Sequence, residues 1–317
     1  MDRRKFLKFA GLTVAGSIVF PSIVSSCTKD GSNGPEGGKQ AGKPTGHFSL
    51  MQMTNAGTSQ MMCYILKTRE NKVIVIDGGT PAETDKLRSK LAELGNHVTA
   101  WWITHPHGDH IGPLAEILKD RKGITIDTIY HSRFSKEHYN REAGAAAKTE
   151  ELYTLFDNQI ETDVVSIHST GGRYDLDGIH IKVLGVTNED ITYHAYNNSS
   201  MIIRFEDDTK SVVFLGDAEE ACGDKVIQKY HKYLNCDYLQ MAHHGQQGVK
   251  ESFYRAISFK TCLWPTPKWL WDAAEGNANN YRTWETRNWM KAKGLKESAN
   301  GEDDHRIMWR DIDWYLE

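Results

Sequence analysis

Four potential metal ligands, His105, His107, Asp109 and His110, fall within six residues of the stretch Thr104-His105-Pro106-His107-Gly108-Asp109-His110. His105 and His107, two apart, can leave the end of a strand toward one side, and Gly108 lets the backbone turn before Asp109 and His110. Neutral imidazole nitrogens and carboxylate oxygens suit a borderline cation such as Zn²⁺. Donors of this number and kind fit a dinuclear site better than a single ion. The apolar Trp101-Trp102-Ile103 before them reads as a buried strand feeding the loop, which argues against a solvated loop with incidental histidines.

A second carboxylate stands out further along. Asp217 ends the apolar run Val212-Val213-Phe214-Leu215-Gly216 and precedes Ala218-Glu219-Glu220, the start of a helix. A charge at the end of a buried strand is costly unless a cation holds it; the competing reading is an N-cap for that helix. Two cations about 3.5 to 4 Å apart can lower the pKa of a shared water and stabilise charge developing on an electrophile. No Ser-His-Asp arrangement offers an alternative nucleophile.

The elements that must position these groups are short. Strands are expected over 47–53, 61–67, 72–76, 98–103, 124–130, 163–167, 172–176, 179–184, 199–205, 210–215 and 238–242. Pro81 opens and Gly95 closes an amphipathic helix carrying Leu87, Leu91 and Leu94. Ile111, Leu114, Ile117 and Leu118 put a helix after the ligand loop, and Glu219 to Tyr233 another. Ser135 to Ile160, rich in Ala, Glu and Leu, reads as one long helical insertion covering the mouth of the site. Strands and helices come in two successive blocks, which suits two sheets packed face to face with helices outside.

His105-Pro106-His107-Gly108-Asp109-His110 resembles the His-x-His-x-Asp-His signature of the metallo-β-lactamase-fold hydrolases. Asp77-Gly78-Gly79, Gly216-Asp217 and His243-His244-Gly245 are similar to the family's other marks, in the same order, across about residues 48 to 265. The resemblance implies an α/β fold, the four-layer αββα sandwich, with two divalent metal ions, Zn²⁺ first and Mn²⁺ as the alternative. It implies that His105 and His107 bind the first ion, Asp109 and His110 the second, and that Asp217 bridges both. His243-His244-Gly245 supplies one further ligand to the second ion. We assign His243 to the metal and, with Asp109, His244 to catalysis in the substrate pocket, although the spacing is equally compatible with the reverse. Asp77 is expected to hydrogen-bond a ligand histidine and fix its tautomer.

The chain departs from the family pattern at the third histidine of the first ion. That region reads Thr192-Tyr193-His194-Ala195-Tyr196-Asn197-Asn198-Ser199-Ser200, with His194 the nearest substitute. Asn198-Ser199-Ser200, with the later His-His-Gly, is similar to two branches of the family, the nuclease-like domain of bacterial DNA-uptake channels and the choline-phosphate esterases of bacterial surfaces.

Residues 1–26 read as a signal peptide: Arg3-Arg4-Lys5-Phe6-Leu7-Lys8 resembles a twin-arginine export signal, and Val24-Ser25-Ser26-Cys27 a lipobox that would acylate Cys27. Residues 27–46, rich in Gly, Ser, Pro and Lys, form a flexible tether, and 47–317 the metallohydrolase domain. The expected location is therefore the periplasm or the outer cell surface, with the lipid as the membrane contact and no protein partner inferable. Residues 1–26 carry four cations against one anion, so their removal takes the formal charge from −4 to −7. That balance weighs against long nucleic acid, whose grip rests on many Lys and Arg contacts, and favours a small or cell-surface phosphodiester.

Cys63, Cys222, Cys236 and Cys262 would permit two disulfides, although Cys63 and Cys262 lie in strand-like runs and read as core. Seven of the nine tryptophans lie from Trp264 onward; most are expected in the core, with Tyr281, Trp284 and Asn288 on one helical face and Trp309 in a terminal strand. Trp269 and Trp271, beside Pro265 and Pro267, are the candidates for ligand contact. The resulting expectation is an exported, lipid-anchored, metal-dependent hydrolase of a phosphodiester. A lactonase or β-lactamase-type hydrolase, or a non-catalytic metal-binding protein on the same fold, is the alternative.

Overall fold

The computed structural model describes residues 47–297 with the strand segments 306–308 and 312–315. The export signal, Cys27, the tether and Trp309 lie outside the described residues. No described helix is long and apolar enough to cross a membrane.

Two mixed sheets stack face to face. The first holds β1 (Phe48–Gln52), β2 (Cys63–Thr68), β3 (Val73–Asp77), β4 (His97–Trp102), β5 (Thr125–His131) and β6 (Asp163–Ser166). The second runs through β7 (Arg173–Leu176), β8 (Ile179–Val183), β9 (Ile203–Glu206), β10 (Ser211–Phe214), β11 (Tyr238–Gln240) and β12 (Thr261–Leu263). Beyond β12 lie β14 (Arg306–Met308) and then β13 (Lys296–Glu297), whereas β15 (Ile312–Tyr315) returns to pair with β1 in the first sheet.

Alternation along each strand builds the layers. Ile74, Ile76 and Trp102 face Ile181, Phe205, Val212 and Phe214 between the sheets. Val73, Val75 and Trp101 point the other way, onto Leu87 and Leu91 of α1 (Thr84–Glu93) and Leu114 and Ile117 of α2 (Gly108–Lys119). The short helix α3 (Lys136–Tyr139) and the longer α4 (Ala143–Asp157) extend this outer layer, Tyr139, Leu152, Tyr153 and Phe156 joining the same core. On the far side Val213 and Leu239 pack with α5 (Glu220–Leu234), α6 (Glu251–Ala256), α7 (Lys268–Trp271) and α8 (Thr283–Ala292) through Val226, Phe253, Trp271 and Met290. This is the expected helix–sheet–sheet–helix sandwich. Burying a Leu- or Phe-sized side chain contributes about 1.5–3 kcal/mol, so three such layers offset the chain's ordering cost.

β3 and β4 run parallel, as do β10 and β11, so the carboxyl ends of four central strands meet at one edge of the sandwich. Ligands of open α/β sheets characteristically sit at such strand ends.

The expected single helix over 135–160 is two. The backbone leaves helical geometry at Glu142 (φ −119°, ψ 85°), which turns that carboxylate away from the helix surface. The strand expected from Ser199 begins only at Ile203, because Asn197–Ser199 forms a tight turn whose polar side chains are spent on neighbouring loops. On α8 the buried residues are Thr283, Thr286 and Met290 rather than Trp284 and Asn288. Trp264 and Trp271 are buried, and Trp269, 42% exposed, stands against Tyr281. Cys63, Cys222, Cys236 and Cys262 are free thiols, Cys63 and Cys262 in the core as expected.

Candidate metal centre

The ligand loop is held by what surrounds it. Trp102 ends β4, Thr104 N donates to Asp77 Oδ1 at 2.7 Å, and Met201 N donates to Thr104 O at 2.7 Å. Pro113 inside α2 lacks an amide hydrogen for the carbonyl of Asp109, which instead accepts Met62 N at 3.2 Å and ties the loop to the approach of β2. Gly112 lets α2 sit against the Thr80–Pro81 backbone, where a Cβ would come within 2.4 Å of Pro81 N.

Asp217 is carried by the turn after β10. Gln240 Oε1 accepts both Leu215 N and Gly216 N at 2.7 Å, and Ser200 Oγ accepts Asp217 N at 3.0 Å. Asp217 therefore does not cap α5, whose N-cap position is Glu219. The pair after β11 lies in a left-handed turn, with φ of 50°, 53° and 79° at His243, His244 and Gly245. Such conformations cost about 1–3 kcal/mol at each non-glycine residue, so the surrounding packing must impose them.

Two groups of donors meet at Asp217. Asp109, His110, Asp217 and His244 form one; His105, His107 and Asp217 form the other. In the first, His110 Nε2 lies 3.3 Å from Asp217 Oδ1, and His244 Nε2 lies 3.2 Å from Asp109 Oδ2 and 3.3 Å from Asp217 Oδ2. In the second, His105 Nε2 lies 3.0 Å from His107 Nδ1 and 3.9 Å from Asp217 Oδ2.

The far nitrogen of every imidazole is already engaged. His110 Nδ1 donates to Asp77 Oδ2 at 2.7 Å, His244 Nδ1 to Pro265 O at 3.0 Å, His105 Nδ1 to Thr104 Oγ1 at 3.2 Å and His107 Nε2 to Glu142 Oε2 at 2.9 Å. These bonds leave His105 Nε2 and His107 Nδ1 facing each other as lone pairs, a contact that needs a cation between them. His110 Nε2, His244 Nε2 and Asp217 Oδ1 are buried with no aligned hydrogen bond. A buried polar group left unpaired costs about 1–3 kcal/mol.

Electrostatics agree with a cation here. Burial opposes charge on His110 and His244, but Asp217 with Asp77 holds His110 well above its ordinary pKa, and Asp217 with Asp109 pushes His244 up to about 9. Against burial, His244 and His110 hold the carboxyls of Asp109 and Asp217 well below the usual range. Burial and the neighbouring His110 keep His105 neutral, its pKa well below normal. The metal-free chain thus satisfies its two anions with two imidazolium ions, a role divalent cations fill with better geometry. The donor set fits two such ions.

The metallo-beta-lactamase superfamily model matches residues 56–282, spanning the whole cluster. The chain belongs to that superfamily. Among solved structures it is similar to unliganded yeast PDE1, at 12% identity over 83% of this chain and 97% of that one, with a TM-score of 0.51. It is also similar to a diphosphatase of the PhnP family (14% identity, 68% of this chain and 85% of that one, TM-score 0.40). YhfI from Bacillus subtilis, a metallo-beta-lactamase fold protein, matches at 15% identity over 61% of this chain and 70% of that one, TM-score 0.41. Identities this low speak to the fold alone. No curated protein matches significantly.

Within this superfamily site, the structure brings His105, His107, Asp109, His110 and Asp217 together and places His244, where His243 was expected, among the donors. Of the two, His244 is the fully buried one and the one in the donor group. His243 sits at the rim, its Nε2 3.9 Å from Asp217 Oδ2 and its Nδ1 donating to Gln247 O at 3.2 Å. The cause is the left-handed turn, in which Gly245 packs so tightly on Trp264 that a Cβ would lie 2.2 Å from the indole. That contact drives the residue before it inward. His194 is exposed and pairs with Glu219, outside both donor groups.

Three residues escaped the sequence reading. Glu142 binds His107 from the break before α4, and the Tyr196 ring stacks on His107 at 4.7 Å and 10°. Burial opposes ionisation of Glu142, but bonds from His107 and Tyr196 N lower its pKa. Glu219, buried, accepts from Asn197 Nδ2 at 3.0 Å and lies 3.6 Å from His243 Nδ1. None carries a local motif; only the helix break before Ala143 could have signalled Glu142.

Proposed function

We propose that this chain is an exported, lipid-tethered metallohydrolase acting on a small phosphodiester with two divalent ions. The observation that carries the reading is Asp217 shared between two donor groups, with His243 beside it on the open side. When bound, the ions supply Lewis acidity and an acidified water. His105, His107 and Asp217 would hold one, and Asp109, His110, Asp217 and His244 the other. Asp77 and the Pro265 carbonyl keep the ε nitrogens of His110 and His244 free for it. Gln246 Nε2 donates to Gln60 Oε1 at 2.7 Å, and Gln60 reaches Asp109 Oδ2 at 3.5 Å, bracing that carboxylate.

A phosphodiester brings a negative charge to a doubly cationic site. With Nδ1 donating to Gln247 O, His243 in its imidazolium form presents its ε N–H to a non-bridging oxygen. A cleft of about 570 Å³, lined among others by Tyr193, Glu219, Gln246, Lys250, Arg282 and Trp289, adjoins His243 and receives the remainder of the substrate. Its cations are already paired, Lys250 with Glu220 at 3.0 Å and Arg282 with Glu285 at 2.5 Å, which disfavours a second strongly anionic group. Purified protein loaded with Zn²⁺ or Mn²⁺ should cleave bis(p-nitrophenyl) phosphate faster than nitrocefin or a simple lactone. His243→Ala should lower that rate by about 10²-fold with both ions retained. Hydrolysis of the lactam or lactone alone would move the protein to that substrate class, and inactivity of the metal-replete chain on all three would make it a binding protein. For location, Cys27→Ala should release the protein into the soluble exported fraction or leave its precursor uncleaved; wild-type protein found unlipidated in the cytoplasm would contradict the tether.

A further inference from the structure

The two donor groups are not equally equipped. Among the described residues the His105 group has three protein donors, and His107 is the one of its members that solvent reaches, at 22% exposure of its side chain. Its imidazole is held from the inserted helices instead. Glu142 Oε2 accepts from His107 Nε2 at 2.9 Å while Oε1 accepts from Tyr196 N at 3.0 Å. Tyr196 lies flat on the same imidazole, and its hydroxyl is fixed by Tyr139 O at 3.1 Å and Thr149 Oγ1 at 2.8 Å. The clamp thus joins α3, α4 and the 196 loop, and the break between the helices is what aims Glu142.

We infer that Glu142 is a positioning residue that sets the affinity of the His105–His107–Asp217 half of the centre for its ion. A carboxylate behind a ligand imidazole fixes the tautomer, stops ring rotation and makes the free nitrogen a better donor. Where four protein donors converge, as around His244, such help matters less; with three, one of them at the surface, it decides occupancy. The inference rests on the metal reading above.

The test is a Zn²⁺ or Co²⁺ titration of the metal-free chain by calorimetry, with metal counted after gel filtration. Wild type should take up two ions. Glu142→Ala should keep the tighter ion at wild-type affinity and bind the second about 10- to 100-fold more weakly. Glu142→Gln keeps an acceptor for His107 but loses the charge, so its second ion should fall between the two. In Co²⁺-loaded protein the visible bands of the second ion should weaken in the same order. Equal affinity for both ions in wild type and Glu142→Ala would overturn the inference while leaving the two-metal reading intact, as would equal weakening of both ions. A wild-type chain that binds no ion overturns the metal reading itself. Should Glu142→Ala fail to fold, Glu142→Gln carries the test, and unchanged second-ion affinity there overturns it.

Discussion

The His244 side and the His107 side of the centre share Asp217 and differ in almost everything else. On the His244 side the imidazoles of His110 and His244 are fully buried and their far nitrogens are held by Asp77 and a backbone carbonyl. Those supports come from the ends of central strands and from a turn locked by Trp264. On the His107 side the support is a single carboxylate on an insertion between β5 and β6, backed by a stacked tyrosine. One half is therefore built into the sandwich, and the other is completed by an addition to it. The difference points to unequal ion affinities, with the exchangeable position on the side the insertion covers.

The largest effect should come from breaking the buried half. His110→Ala removes a donor that also satisfies Asp77 and Asp217, so both ions and at least about 10³-fold of activity should be lost. His107→Ala should leave one ion per chain. Elemental analysis of the two variants separates these outcomes, and equal metal content would erase the asymmetry.

A smaller effect tests the turn that aims His244. Gly245→Ala places a methyl group where Trp264 already sits, at a left-handed φ, and should cost about 2–4 kcal/mol, read as a lowered thermal midpoint. Substitution at the rim-facing neighbour, His243→Ala, should leave that midpoint near wild type.

The pH dependence should run in opposite directions with and without metal. His244, at about 9 in the metal-free fold against about 6.5 unfolded, is raised, so its contribution to stability is fully present below pH 6.5 and disappears as pH rises through 9. Over the same window protons cease to compete for its ε nitrogen, and metal affinity should rise by up to about tenfold per pH unit for each proton displaced. Thermal midpoints of metal-free protein should therefore fall from pH 6.5 to 9 while calorimetric affinity climbs. A pH-independent affinity would mean that His244 is not a ligand.

The framework was legible from sequence because its signals are local. The 105–110 loop, Asp77 after an apolar strand and Asp217 before a helix each join a strand end to a polar group, and the expected strands fall where the structure has them except at Ser199, where the strand starts only at Ile203. Asp77 meets His110 as expected. The choice between His243 and His244 was not legible, since it depends on a left-handed turn set by Trp264, 19 residues beyond Gly245 in sequence. Glu142 was hidden for a related reason: it is 35 residues from His107, in a stretch whose composition reads as continuous helix. Asn198-Ser199-Ser200 was recognisable as a pattern without its job being visible. The structure uses it as scaffold, Asn198 Oδ1 accepting Cys222 N and Ser200 Oγ accepting Asp217 N.

The central claim is that one buried carboxylate joins two ion-binding groups into a hydrolytic centre. Metal content and phosphodiesterase rate measured together on wild type and Asp217→Asn test it most directly, because the variant keeps the shape of the side chain and removes its charge. The account predicts two ions per wild-type chain, with metal and activity lost together in the variant. An Asp217→Asn protein that retains two ions and wild-type turnover would contradict it.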